Sequence, residues 1–184
     1  MIAKSQATIE DLYRVKEKAE LVNGEIVRFM PTGYEPGYAA LEISISLRNH
    51  VRAAKRGFAL GDNQAFIVDL PHRQSFSPDA AYYEGTNPGM KFFDGAPLFA
   101  AEVRSEGDMG PRGERDMAGK RPDYFRAGTV VVWDVDLDGD EVVKKYTVDD
   151  PEHPTIFRRG ETADAEPAVP GWTMPVNDLF ESRQ

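Results

Sequence analysis

Ser77-Pro78-Asp79-Ala80-Ala81-Tyr82-Tyr83 and Leu98-Phe99-Ala100-Ala101-Glu102-Val103-Arg104-Ser105 are two short apolar runs, each carrying one carboxylate at its edge or inside it. A carboxylate in such a run is costly unless it is paired, hydrogen-bonded or bound to a metal. Neighbouring strands could present both acids together. Downstream, Asp116-Met117-Ala118-Gly119-Lys120 adds a lysine. Carboxylate oxygens suit Mg²⁺, which takes one or two of them and keeps waters for a substrate phosphate. Such an ion polarises a phosphoryl oxygen and lowers the pKa of a bound water, while an ammonium orients the nucleophile or balances transition-state charge. Asp79, Glu102 and Lys120 are thus residue types suited to phosphodiester hydrolysis.

Outward from these runs, strand and helix signals alternate. Thr8, with Asp11 three residues on, approximates a capping box for a short helix. Residues 20–30 read as two strands joined at Asn23-Gly24, where both turn positions tolerate positive φ. Glu20 and Glu25 flank that turn and are, on their own, ordinary solvated strand residues. Residues 30–37 read as a loop and residues 38–56 as the strongest helix, with Ile43, Leu47, Val51 and Ala54 at helical spacing. Arg48, Arg52, Lys55 and Arg56 share another face, either plain solvated surface or a track for a nucleic-acid backbone. Strands are expected at 58–60, 65–68 and 80–83, with a loop at 71–77 containing His72 and Arg73. Residues 84–97 form a polar loop, rich in glycine and proline, long enough to be mobile or to contact a partner.

In the strand at 98–103, alternation puts Glu102 and Arg104 on one face, where they either pair with each other or act separately. Pro122, close to Lys120, predicts a helix that kinks or one that begins near Arg121. Residues 129–135 are β-branched and apolar, as in a strand buried on both faces. Asp138-Gly139 turns the chain into a partner strand at 141–148, and residues beyond 151 fold back as an edge hairpin and a terminal turn. The alternating acids Asp134, Asp136, Asp138 and Asp140 lack the preceding helix and closing glutamate of an EF-hand.

A chain of 184 residues is most simply one domain, 1–184. Its formal charge of −9 gives no average attraction to nucleic acid, so a local positive field is needed, for which Arg112, Arg115, Arg121 and Arg126 are candidates. The absence of cysteine excludes disulfides, thiol nucleophiles and Cys-based zinc sites. No signal-peptide pattern opens the sequence and no run has the length of a membrane span, so a cytoplasmic protein is expected. There is no phosphate-binding loop, dinucleotide fingerprint or Gly-x-Ser-x-Gly elbow, and His50, His72 and His153 are scattered singly.

The order Pro78-Asp79, Glu102-Val103-Arg104-Ser105 and Lys120 resembles the PD-(D/E)XK nuclease superfamily, more narrowly its Uma-two branch of restriction-endonuclease-type proteins. Glu20-Leu21-Val22-Asn23-Gly24-Glu25, the run from Asp116 through Lys120 to Tyr124 and Gly128, Val130-Val131-Val132-Trp133-Asp134-Val135-Asp136, and Val169-Pro170-Gly171-Trp172 resemble that branch in the same order. The resemblance implies an α/β restriction-endonuclease-like core, with a central mixed sheet flanked by helices and an N-terminal β-hairpin. It also implies DNA cleavage with Mg²⁺, or Mn²⁺ in its place, held by Asp79 and Glu102 with Glu20 as an added ligand. The lysine of the commoner superfamily pattern would follow the acid by two residues, where Arg104 stands; in the Uma-two branch it lies on the next helix, where Lys120 falls. Arg104 stays protonated and clamps phosphate rather than acting as a base, and Arg115 and Arg121 are the other substrate contacts. A homodimer is expected by the same resemblance.

Two other readings stay open at this point. A catalytically inactive relative would keep the fold and bind nucleic acid or a protein; it predicts a Lys120 ammonium far from both carboxylates and Glu102 closed onto Arg104. An unrelated structural or interaction protein predicts that Asp79 and Glu102 do not converge on one cavity.

Overall fold

The computed structural model describes residues 6–181. Helix α1 (Ile9–Leu12) is held by the Thr8/Asp11 capping box and leads to the hairpin of β1 (Ala19–Val22) and β2 (Glu25–Arg28). Asn23 and Gly24 turn it with φ of 53° and 70°, and Val22 lies opposite Glu25. Helix α2 (Tyr34–Ala54) comes next, then β3 (Phe58–Leu60), β4 (Phe66–Leu70), β5 (Arg73–Phe76), β6 (Ala80–Tyr83), β7 (Phe93–Asp94) and β8 (Phe99–Val103). A single 3-10 turn at Glu106–Asp108 leads into helix α3 (Gly110–Ala127). Strands β9 (Val131–Val135), β10 (Val143–Thr147), β11 (Thr155–Phe157), β12 (Thr162–Asp164) and β13 (Thr173–Pro175) complete the elements, before a last 3-10 turn at Val176–Leu179.

Among the described residues, the strands form a six-stranded sheet in the order β11-β10-β9-β8-β6-β3, a five-stranded sheet β2-β1-β5-β4-β7 and the pair β12-β13. The six-stranded sheet is mixed, with β8 parallel to β9 and its other pairs antiparallel. Period-two alternation sorts its side chains into two cores. Phe99, Ala101, Val103, Val131, Trp133 and Val135 meet Ala39, Ala40, Ile43 and Leu47 of α2. Ala81, Tyr83, Ala100 and Val132 meet Phe66, Val68 and Phe76 of the second sheet and Tyr124 of α3. Each large side chain buried this way contributes about 1.5–3 kcal/mol. Trp172 stacks on Trp133 with centroids 5.0 Å apart and donates its indole N–H to Ser46 of α2, pinning the C-terminal hairpin to that helix. The result is the mixed α/β architecture with an N-terminal hairpin that the sequence implied. No described helix is long and apolar enough to cross a membrane.

Four local expectations need correction. Helix α2 starts at Tyr34, not at 38, because Pro36 falls in its first turn, where the missing N–H has no helical acceptor to serve. The loop at 71–77 contains strand β5, whose polar residues Arg73 and Ser75 are buried because they bond to β1: Ser75 Oγ accepts the Leu21 N–H at 2.8 Å. The loop at 84–97 contains β7, parallel to β4, and Phe92 stacks on Tyr13 at 3.9 Å. Helix α3 runs unbroken in sequence across Pro122 and ends at Gly128 with φ 111°, so it does not begin near Arg121.

Candidate active site

Asp79 and Glu102 come together because β6 and β8 are neighbours in the six-stranded sheet. The Asp79 N–H donates to Ala101 O at 3.0 Å and its Oδ2 accepts the Val103 N–H at 2.7 Å, so its backbone and carboxylate are both anchored to β8. Glu102 shares the Ala100 face of β8, turned from α2 toward α3. Its Oε1 accepts from Lys120 Nζ at 2.7 Å and from the Tyr124 O–H at 2.5 Å. Lys120 and Tyr124 are one helical turn apart on α3, so one helix face supplies both donors. Lys120 also reaches Glu20 Oε1 at 2.9 Å and lies 5.7 Å from the rings of Phe29 and Tyr124.

Glu20, 2% exposed, has no uncommitted oxygen. Oε1 also accepts the Ser77 N–H at 2.9 Å, and Oε2 takes Arg73 Nη1 at 2.5 Å. Arg73 is itself held by Asp123 Oδ2 at 3.0 Å, and His72 Nε2 lies 2.8 Å from the other oxygen of Asp123. A connected network of hydrogen bonds and ion pairs thus runs from His72 to Glu102.

These contacts set the protonation states. Burial acts to raise the Glu20 pKa, but the Lys120 and Arg73 charges outweigh it and hold the group below its ordinary value. Glu102 goes the other way: burial raises it, the negative charges of Asp79 and Glu20 add to that, and Lys120 and Lys18 offset only part. Burial works against the Lys120 ammonium, yet Glu102 and Glu20 hold its pKa above the usual lysine value. Lys120 is therefore a fixed positive charge and hydrogen-bond donor at neutral pH, not a base. Burial, then the neighbouring Glu102 charge, pushes the Tyr124 hydroxyl well up, so it too stays a donor.

Arg104 does not pair with Glu102. Its Nε and Nη2 bind the two oxygens of Asp134 at 2.7 Å each, and its Nη1 binds Glu114 at 2.6 Å, leaving it 3% exposed. Arg121 turns to another face of α3, its guanidinium 3.8 Å from the Tyr146 ring centroid and clear of the cavity wall. Arg115 is exposed on α3 and does not line the cavity either.

Asp79, Glu102, Lys120 and Glu20 line one cavity of about 650 Å³ with Phe29 and Arg73. Its wall carries seven Asp or Glu against five Lys or Arg. The positive field expected from Arg112, Arg115, Arg121 and Arg126 is thus not on this wall; Arg112 and Arg126 lie 3.8 Å and 3.6 Å from Asp116 and Asp123. Among the described residues, no group of three or more His, Asp or Glu is gathered to hold a metal ion.

Three participants escape sequence reasoning. Lys18 binds Asp79 Oδ1 at 2.5 Å and Asp62 at 2.6 Å; Arg73 secures Glu20; Phe29 roofs the two lysines. In sequence, Lys16-Glu17-Lys18 is a charged run, and only its position just before the strand containing Glu20 hints that Lys18 turns inward.

The mixed sheet thus offers two carboxylates from adjacent strands, with a helix-borne ammonium against one of them. The sequence profile of the Uma2 family, described as "putative restriction endonuclease", matches residues 7–177, and the chain belongs to that family. Its fold is similar to that of an Anabaena variabilis protein, solved as a crystal structure titled "a putative nuclease belonging to DUF820". The TM-score is 0.72 at 17% identity, over 94% of this chain and 97% of that one. No curated protein matches the chain.

Proposed function

We propose that this protein hydrolyses DNA phosphodiester bonds with a divalent cation, Mg²⁺ or Mn²⁺, at Asp79 and Glu102 beside Lys120. The observation that carries the reading is the 2.7 Å contact between Lys120 and Glu102 on the wall that Asp79 also lines. The donor set fits a hard cation. Glu102 Oε1 is engaged by Lys120 and Tyr124, leaving Oε2, and Asp79 offers Oδ1 once its ammonium partner is exchanged. Two carboxylates suffice for Mg²⁺, with water and substrate phosphate completing its shell. When bound, the cation supplies charge neutralisation at the phosphoryl oxygens and an acidified water.

The chain's own residues do the rest. Lys120, held charged, donates hydrogen bonds toward the incoming water or the developing negative charge on the phosphoryl group. Glu20, with both oxygens engaged, is assigned to positioning Lys120 rather than to the metal. Tyr124 fixes the orientation of Glu102. Arg104, spent on Asp134 and Glu114, ties β8 to β9 and to α3, so its share in the site is to position rather than to contact phosphate. Arg115, exposed on α3, remains available for the DNA backbone; Arg121 braces α3 against β10. A homodimer of cytoplasmic location completes the proposal, and light scattering in solution tests its stoichiometry.

The test is cleavage of mixed duplex and single-stranded DNA by purified protein with Mg²⁺ or Mn²⁺. Cleavage abolished by chelator, by D79A and by E102A is expected. Cleavage retained in both variants would overturn the assignment. DNA binding without cleavage in any divalent ion would favour the non-catalytic alternative.

A further inference from the structure

Lys16 and Lys18 lie two residues apart ahead of β1 and meet opposite fates. Lys16 is exposed at the cavity rim, whereas the Lys18 side chain is only 18% exposed. Its carbonyl accepts the Phe29 N–H at 2.9 Å, so the hairpin backbone fixes where its side chain starts. Its Nζ lies 2.5 Å from Asp79 Oδ1, 2.6 Å from Asp62 Oδ1 and 5.9 Å from the Phe29 ring centroid. The Glu102 charge also acts on it, together with that of Asp79. A surface lysine making a simple ion pair does not need three carboxylates around it, and holding so flexible a stem inside a cavity costs side-chain entropy.

The position follows from the charge balance of the site. Asp79 and Glu102 approach from adjacent strands on a wall with more acids than bases, and like charges so placed repel unless a cation sits with them. Lys120 neutralises Glu102 and Glu20 but makes no ion pair with Asp79. Lys18 supplies the missing charge on the Asp79 side. Resting on the metal reading above, we infer that Lys18 is a built-in counter-ion that stands in for the divalent cation at Asp79 and competes with it for that carboxylate. Cation binding then requires Lys18 to release Asp79, because the ammonium occupies Oδ1 and the Val103 N–H holds Oδ2, whereas Lys120 occupies only Oε1 of Glu102 and leaves its other oxygen open. Asp62 remains as a partner for the released ammonium, and a substrate phosphate in the same cavity would be a second one. The free protein therefore holds divalent ions weakly, and substrate strengthens the site by giving Lys18 somewhere else to go.

The experiment is calorimetric titration of Mn²⁺ into DNA-free protein, comparing wild type, K18M, K18R and K16M, with thermal melts confirming that each is folded. K18M is expected to tighten Mn²⁺ binding about tenfold or more, since a neutral thioether no longer competes for Asp79. K18R retains the charge and stays within about threefold of wild type; K16M, an exposed charge lost from the same rim, shifts affinity by less than about twofold. Should K18M not fold, K18Q carries the same expectation. Unchanged or weaker binding in the neutral Lys18 variant overturns the inference while leaving the metal site standing. Equal tightening by K16M also overturns it, because the effect would then be a diffuse field. Saturable binding absent from both wild type and K18M would remove the metal reading itself, and this inference with it.

Discussion

Replacing Lys120 by methionine tests the network that joins α3 to the carboxylates. The lysine side chain is 13% exposed and bridges Glu20 and Glu102 at 2.9 Å and 2.7 Å. Methionine keeps the stem and removes the charge. Glu20 retains Arg73 and the Ser77 N–H, whereas Glu102 retains only Tyr124. Removing one partner of a buried ion pair costs about 3–5 kcal/mol. Because Glu20 keeps its other partners, the low end applies, about 3 kcal/mol. At about 2–4 °C per kcal/mol for a chain this size, Tm falls by about 6–12 °C near neutral pH. The pH dependence has a definite sign. Without the ammonium, the already raised pKa of Glu102 rises further, so the folded variant takes up a proton that the unfolded chain, near the ordinary 4.5, does not. The deficit is therefore full at high pH and shrinks as pH falls through the folded value. Melts of both proteins at pH 7.5 and 5, without divalent ions, measure it, and the same samples are tested for DNA cleavage, which K120M should lose. A Tm within about 2 °C of wild type at both pH values would refute the network, and retained cleavage would refute the role of Lys120.

Other perturbations give distinct outcomes. Gly113 sits where a Cβ would come 1.6 Å from the Asp108 carbonyl oxygen, so G113A forces α3 away from the 3-10 turn before it. Despite the better helix propensity of alanine, a loss of about 1–3 kcal/mol in chemical denaturation is expected, with reduced cleavage; a stabilised variant would show that the approach is not tight. Y124F removes the hydroxyl donor to Glu102 and keeps the ring stacked on Phe76, 4.0 Å away. It should lower kcat with little change in KM, at a stability cost of about 1.5–3 kcal/mol, and unchanged kcat would count against a positioning role. Glu20, held below its ordinary value of 4.5, contributes stability above that pH that is lost as pH falls through its folded value. E20Q should therefore lower stability at neutral pH and flatten the acid limb of the stability curve; an acid limb as steep as that of wild type would place the acid sensitivity elsewhere.

What the sequence made legible was set by adjacency along the chain. Residues 80–83 and 98–103 read as strands because they are apolar, and placing them side by side brings Asp79 to Glu102. The Asn23-Gly24 turn and the Lys120-to-Tyr124 spacing are local signals and held in the structure. What stayed hidden depends on distant partners. Arg73 and Ser75 look like loop residues until β1 lies beside them, since only Glu20 and the Leu21 amide make their burial tolerable. Lys18 reaches an aspartate 61 residues away, which no local pattern announces. The choice between pairing and separation for Glu102 and Arg104 was decided by β9: its Asp134 lies opposite Glu102 in the parallel register and claims the arginine through both oxygens. Pro36 and Pro122 look like helix breakers by type, yet one sits in a first turn and the other is carried within α3.

The central claim is that Asp79 and Glu102 hold a divalent cation beside Lys120. Anomalous diffraction from crystals soaked in Mn²⁺ tests it most directly. A manganese peak is expected at about 2.0–2.3 Å from an oxygen of each carboxylate, with Lys120 still on Glu102. A peak bound by other residues, or none at these two carboxylates in crystals shown to admit the ion, would contradict it.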